Sequence, residues 1–148
     1  MPVHALGGLA NLQPQTFYDC VKLSNVLLIG NAPIAATDTF AAYPSGYDPA
    51  TVYYAPGTTG WGSILAGCPT ALWNPTIQTM KTNFGFQNSQ FGFTITGTPN
   101  IPIAVQATSD LAGGTWTPLQ SCTLTNGAID FIDPNSVSSN RFYSIAFP

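Results

Sequence analysis

The chain contains no glutamate and only one histidine, His4. Its six acids are all aspartate (Asp19, Asp38, Asp48, Asp110, Asp130 and Asp133), and its cations are Lys22, Lys81 and Arg141. Charged residues make up 6% of the 148 positions, against roughly a quarter in an average soluble domain. A net charge of −3 with no basic run cannot neutralise a row of phosphates, so nucleic-acid binding is not expected. A lone histidine leaves any Ser-His-Asp or Cys-His arrangement dependent on His4, which sits in a glycine-rich start without an orienting partner. The surroundings of Ser45 and Ser63 both fail the G-x-S-x-G pattern of a nucleophile elbow. No catalytic residue is assigned, and His4 reads as a solvated terminal residue.

Cysteine is sparse too. Cys20, Cys68 and Cys122 are odd in number, so at least one is unpaired within a monomer. No Cys/His spacing suggests zinc. Buried thiols are the preferred reading; one disulfide is compatible, but its pairing is not legible. No apolar run approaches the ~18–20 residues of a spanning helix, so no membrane insertion is expected. The start, MPVHALGGLANL, lacks a basic segment followed by an apolar one. It resembles mid-protein sequence, which favours the C-terminal piece of a longer exported protein over a cytosolic one.

What is present is apolar and rich in turns. Hydrophobic residues make up 45% of the chain, with 14 Gly and 13 Pro. From Phe84 onward, period-2 alternation is clear. Phe91, Phe93 and Ile95 share one face. So do Ile101, Ile103, Val105 and Ala107, then Ile129 and Phe131, then Tyr143, Ile145 and Phe147. This predicts short strands with one buried face. Gly97–Asn100, Ala112–Gly114 and Asn126–Gly127 read as hairpin-like links, the last favouring a type I′ turn. Pro102 and Pro118 place their strands at edges or bulges, and Trp116 reads as a core anchor. The expected unit is a small antiparallel sandwich, immunoglobulin-like in style.

The first half is more irregular. A helical turn is expected near Thr16–Cys20, and another at Ser63–Ala66, ended by Gly67. Leu23, Val26, Leu28 and Asn31 fit the frame L-x-x-L-x-L-x-x-N once. That frame belongs to a solenoid, whose repeat buries its apolar face only against a stacked neighbour. An ordinary buried strand, Val26–Ile29, explains the same residues. The predicted organisation is a repeat-like cap over 1–75, a polar connector over 76–83 and a β-sandwich over 84–148.

Several stretches occur together and in order: Phe17–Leu23, Gly30–Pro33, Ala50–Gly62, Pro69–Pro75, Gln90–Thr98, Ile101–Ile103, Gln106–Leu111, Trp116–Leu119 and Arg141–Tyr143. They resemble the closing repeat and C-terminal β-domain of bacterial surface leucine-rich-repeat proteins of the BspA-like group, over roughly residues 16–148. The resemblance implies a mainly β chain in which a short leucine-rich-repeat-like cap precedes the sandwich. It also implies an extracellular or cell-surface location and a non-catalytic role in adhesion or interaction, with a protein or glycan as partner.

Two alternatives stay open. One is a small hydrolase, with or without calcium, acting on an ester, lactone or glycoside. Asp130, Asp133 and Asn135 offer oxygen ligands within six residues, so calcium is the one cofactor the sequence accommodates. Turn chemistry explains the same residues. The other alternative is a carbohydrate-binding module using exposed aromatics, for which Tyr43, Tyr47 and Trp61 are the candidates.

Overall fold

The computed structural model describes residues 2–44, 46–47, 50–136 and 140–148, with side chains omitted for 2–6 and 47. The chain forms two compact units, Met1–Trp73 and Asn74–Pro148. The described residues are strands, turns and irregular segments, with no α-helix.

The first unit carries β1 (Pro2–Leu6), β2 (Asn11–Leu12), β3 (Asn25–Leu28), β4 (Ile34–Ala35), β5 (Ala41–Ala42), β6 (Gly46–Tyr47), β7 (Thr51–Tyr54), β8 (Ile64–Leu65) and β9 (Cys68–Leu72). Strands β1, β3, β7 and β9 lie side by side and parallel. A parallel neighbour requires the chain to travel out and back between strands. Here each excursion forms a coil. Pro2 aligns with Asn25 and Asn25 with Thr51, offsets of 23 and 26 residues. On the return path Leu12 aligns with Ala35, again 23 apart.

The inward residues of successive coils meet in one core. It contains Leu12, Leu23, Val26, Leu28, Phe40, Ala50, Val52 and Cys68. Leu27 and Tyr53, on the other face of β3 and β7, are buried as well, as expected for central strands of a parallel sheet.

Both helical turns expected in this unit are corrected. Over Thr16–Cys20 the chain makes successive three-residue turns, with Gln15 and Asp19 at φ of 59° and 57°. The amide N–H groups of Phe17 and Asp19 donate to Thr39 and Ala41 carbonyls of the following coil, so they cannot serve an intrahelical ladder. At Ser63–Ala66 the chain forms β8, which turns back onto β9 through Ala66 (φ 46°) and Gly67 (φ 89°). Two successive positive φ values suit a tight hairpin. A glycine at positive φ serves a helix end equally well, so the sequence signal was ambiguous.

The second unit carries β10 (Thr76–Gln78), β11 (Gly85–Gln87), β12 (Gln90–Thr96), β13 (Pro102–Thr108), β14 (Thr117–Thr123), β15 (Ala128–Asp133) and β16 (Phe142–Ala146). One antiparallel sheet has β12 at its centre, flanked on one side by β10 and β11 and on the other by β15. A second runs β14-β13-β16. The alternation read from the sequence selects the core. Phe93, Ile95 and Phe131 from the first sheet, and Ile103, Val105 and Ala107 from the second, are buried. Tyr143 of β16 reaches the aromatic rings of the other sheet, with centroids 5.2 Å from Phe91 and 5.5 Å from Phe93.

Several local expectations change here. The 76–83 connector is not all loop: Thr76–Gln78 is β10, paired with Thr94–Thr96. Gly97–Asn100 and Asn126–Gly127 join strands of different sheets rather than hairpins. Gly127 has φ of 74°, and its N–H donates to the Leu124 carbonyl at 3.0 Å. A tight turn is therefore present, but a turn signal does not say which sheet receives the next strand. The two-residue hairpin with both φ values positive is Asn88-Ser89, between β11 and β12. Pro118 does lie on an edge strand, opposite the register shift between Val105 and Gln106. Pro102 instead opens the central strand β13, a position where its missing N–H costs little.

Candidate functional site

The aspartates of β15 point to different places. Ala128–Asp133 alternates, so Asp130 is exposed on the outer face and Asp133 is 1% exposed on the inner one. A carboxylate that deep requires compensation. Asp133 Oδ2 accepts hydrogen bonds from Arg141 Nη1 and from Tyr143 Oη, the latter at 2.9 Å. Its Oδ1 accepts from the Asn135 backbone N–H at 2.9 Å. Ser136 Oγ donates to the Asp133 carbonyl and accepts from the Phe91 N–H at 2.7 Å. The cluster thus ties the end of β15 to the start of β12 and to β16. Burial, reinforced by the hydrogen bond and charge of Asp133, pushes the Tyr143 phenol up to about 12.

The trio considered for calcium does not converge. Asp130 and Asp133 face opposite sides of one strand, Asp133 is committed to Arg141 and Tyr143, and Asn135 meets it only through its backbone N–H. Among the described residues no group of three His, Cys, Asp or Glu side chains gathers in one place.

Above this cluster lies a concave surface of the second unit. Two adjoining cavities, of about 310 and 450 Å³, share Phe91, Arg141, Phe142 and Tyr143. Asn140 and Ser136 border the smaller one. Ile77, Leu111 and Trp116 border the larger. Trp116, read as a core anchor, is only half-buried and lines this groove instead. The groove leaves apolar rings in water: Phe86 is 67% exposed, while Phe84 and Phe142 are each 41% exposed. Phe84 and Phe86 meet Phe91 edge-on at 5.6 and 5.3 Å, so the rings are held rather than free. On one side runs β16, the last strand of its sheet.

Of the aromatic residues singled out in the first half, Tyr43 is 79% exposed. The side chain of Tyr47 lies outside the described residues, as does that of His4. Trp61 is half-buried, stacked on Tyr54 with centroids 4.9 Å apart and planes 7° from parallel. It packs on the core of the first unit, so one face of its indole is already occupied. Its buried Nε1 has no hydrogen-bond partner among the described residues. Cys20 is exposed, Cys68 buried and Cys122 half-buried, with no disulfide among the described residues. Burial raises the Cys122 thiol pKa.

Sequence reading missed Arg141, Phe142 and the ring cluster as site residues. One signal was available. Phe142 is the apolar residue out of phase with Tyr143, Ile145 and Phe147, so a large ring was destined for the wrong side of its strand. Comparison with protein-family models, curated proteins and solved structures finds no match. Among the described residues no helix is long and apolar enough to cross a membrane.

Proposed function

We propose that this chain is a non-catalytic interaction module, presented outside the cell or on its surface, and that the groove beside β16 receives a protein partner. The observation that carries this is the exposed ring set, Phe84, Phe86 and Phe142, gathered with Trp116 and Arg141 on one concavity. Grouped apolar exposure of this kind marks interaction surfaces. Aromatic residues and arginine are the types enriched there. The edge of β16 that is unpaired among the described residues adds outward backbone donors and acceptors, and an extended segment could pair with them while its side chains enter the groove.

The same proposal takes the first unit as a leucine-rich-repeat-like cap. Coil offsets of 23 and 26 residues fall within the repeat lengths of such solenoids. It takes the second unit as immunoglobulin-like. In that reading β12 and β15 stand as strands B and E, with β10 and β11 as a divided A, and β13, β14 and β16 stand as C, C′ and F. The position of strand G, beside F, is the edge of β16 next to the groove, which carries no strand among the described residues.

The experiment is a surface-binding measurement of the full chain over immobilised fibronectin, laminin, collagen and mucin, with the Trp116→Ala/Phe142→Ala double variant alongside. Saturable binding to at least one, weakened about thirtyfold or more in the variant as for a hot-spot pair, supports the reading. Binding to none of the four, or equal binding by the variant, contradicts it. Turnover of ester, lactone or glycoside substrates that is lost in Asp133→Asn would favour the hydrolase instead.

A further inference from the structure

On the opposite, outward side of the β12 sheet lies a second concavity, of about 130 Å³, bordered by Asn83, Gln87, Gln90, Asp130 and Ile132. Four of these side chains are polar, and Phe93 and Phe131 border it together with Ile132. Asp130 Oδ1 accepts hydrogen bonds from Thr94 Oγ1 at 2.6 Å and Asn83 Nδ2 at 2.8 Å. Asn83 Nδ2 also donates to Thr94 Oγ1 at 2.7 Å. The carboxylate is therefore fixed in place by two neighbours on adjoining segments, while its Oδ2 carries no partner among the described residues. Gln87 is anchored by one bond from Nε2 to the Thr82 carbonyl, which leaves its amide oxygen open. The half-buried side-chain amide of Gln90 has no partner among the described residues.

The hollow depends on Gly92. This residue lies between Gln90 and Thr94 on the outward face, and a Cβ there would come within 2.9 Å of the Phe131 carbonyl. Beside the polar groups stands Ile132, 57% exposed.

From this arrangement we infer that the Asp130 hollow is a binding site for a neutral saccharide. A sugar ring offers adjacent hydroxyls that donate and accept, and a carbon-bound hydrogen face. The hollow offers a carboxylate oxygen that only accepts, two carboxamides that do both, and an isoleucine for the apolar face. Hydrogen bonds to an ionised acceptor are the strong ones, and a carboxylate already locked by Thr94 and Asn83 loses little freedom on binding. A divalent cation is served less well. It needs six or more oxygens, and here the single carboxylate has one oxygen already saturated. The site is separate from the groove, so the inference stands or falls independently of the protein-partner reading.

The test is saturation-transfer NMR on the full chain with cellobiose, lactose, mannobiose and chitobiose, followed by titration of whichever binds. At least one should bind, and Asp130→Asn should weaken it about tenfold, as expected for losing a hydrogen bond to a charged group. Gln90→Ala should weaken it too. Because Gln90 makes no side-chain bond among the described residues, its effect reports on ligand rather than folding. Phe142→Ala should leave saccharide binding unchanged. The inference is overturned if none of the four disaccharides binds, if Asp130→Asn and Gln90→Ala bind as the parent does, or if loss follows Phe142→Ala instead. Calcium binding alone, abolished by Asp130→Asn, would overturn it in favour of an ion site.

Discussion

Phe17 and Phe40 stack face to face, ring centroids 5.0 Å apart and planes 14° from parallel, although 23 residues separate them. That separation is also the offset between Leu12 and Ala35 and between Pro2 and Asn25. The two rings therefore occupy the same place in successive coils. Phe40 is fully buried and Phe17 only partly, which ranks their contributions.

Phe40→Ala should cost about 3–5 kcal/mol, the range for deleting a buried ring, and Phe17→Ala clearly less. The double variant should cost less than the sum of the two. The difference is the stacking energy, about 0.5–1.5 kcal/mol for such a pair. Urea unfolding of the four proteins, followed by a probe in the first unit, measures this. Strict additivity would show that the stacking carries no energy of its own.

Asp133→Asn should destabilise the second unit by about 2–4 kcal/mol. Breaking a buried ion pair costs about 3–5 kcal/mol, but Arg141 retains 24% side-chain exposure and regains some water. Asp133→Asn combined with Arg141→Met should recover part of the loss, since the stranded guanidinium is gone. Equal stability of Asp133→Asn and the parent would remove the cluster's structural role.

Alkaline pH should weaken the second unit over a definite window. The Tyr143 phenol is raised from 10.0 to about 12 in the folded chain, so between those values the unfolded chain has lost a proton that the folded one keeps. Stability is then complete below about pH 10 and falls as pH rises toward 12. Tyr143→Phe should flatten that slope in pH-dependent unfolding and remove a late step from the tyrosinate absorbance titration. Tyr53, also raised by burial, should contribute a late-ionising phenol in the first unit.

Thiol labelling under native conditions should proceed in the order Cys20, Cys122, Cys68. Cys20 is exposed. Cys122 is half-buried, and its raised thiol pKa leaves less thiolate to react. Cys68 is fully buried in the core of the first unit. Mass spectrometry over time reads the order, and early labelling of Cys68 would contradict the coil packing.

The strands of the second unit were legible because period-2 alternation reports which face is buried, and Phe93, Ile95, Ile103 and Val105 are where it places them. The pairing of strands was not legible. Gly97–Asn100 and Asn126–Gly127 carry turn chemistry whether the next strand joins the same sheet or crosses to the other. The coils of the first unit were visible only as one frame at Leu23–Asn31. Their register is carried by positions such as Phe17/Phe40 and Leu12/Ala35, where residue identity is partly degenerate and spacing changes from 23 to 26. The groove escaped notice because its rings come from four separate segments that are brought together only by folding. Asp133 could be read as a turn residue, and its Asn135 contact is one. Its burial beneath Arg141 and Tyr143 required the sheet to exist first.

The groove can report on itself. Trp116 is the only tryptophan of the second unit, so a Trp61→Phe/Trp73→Phe chain emits from the groove alone. Its fluorescence, titrated with tryptophan-free peptides drawn from whichever of the four immobilised proteins binds, tests the central claim most directly. A saturable blue shift with the same midpoint as surface binding is the predicted result. Binding that saturates while Trp116 emission stays fixed would place the partner elsewhere and contradict the account.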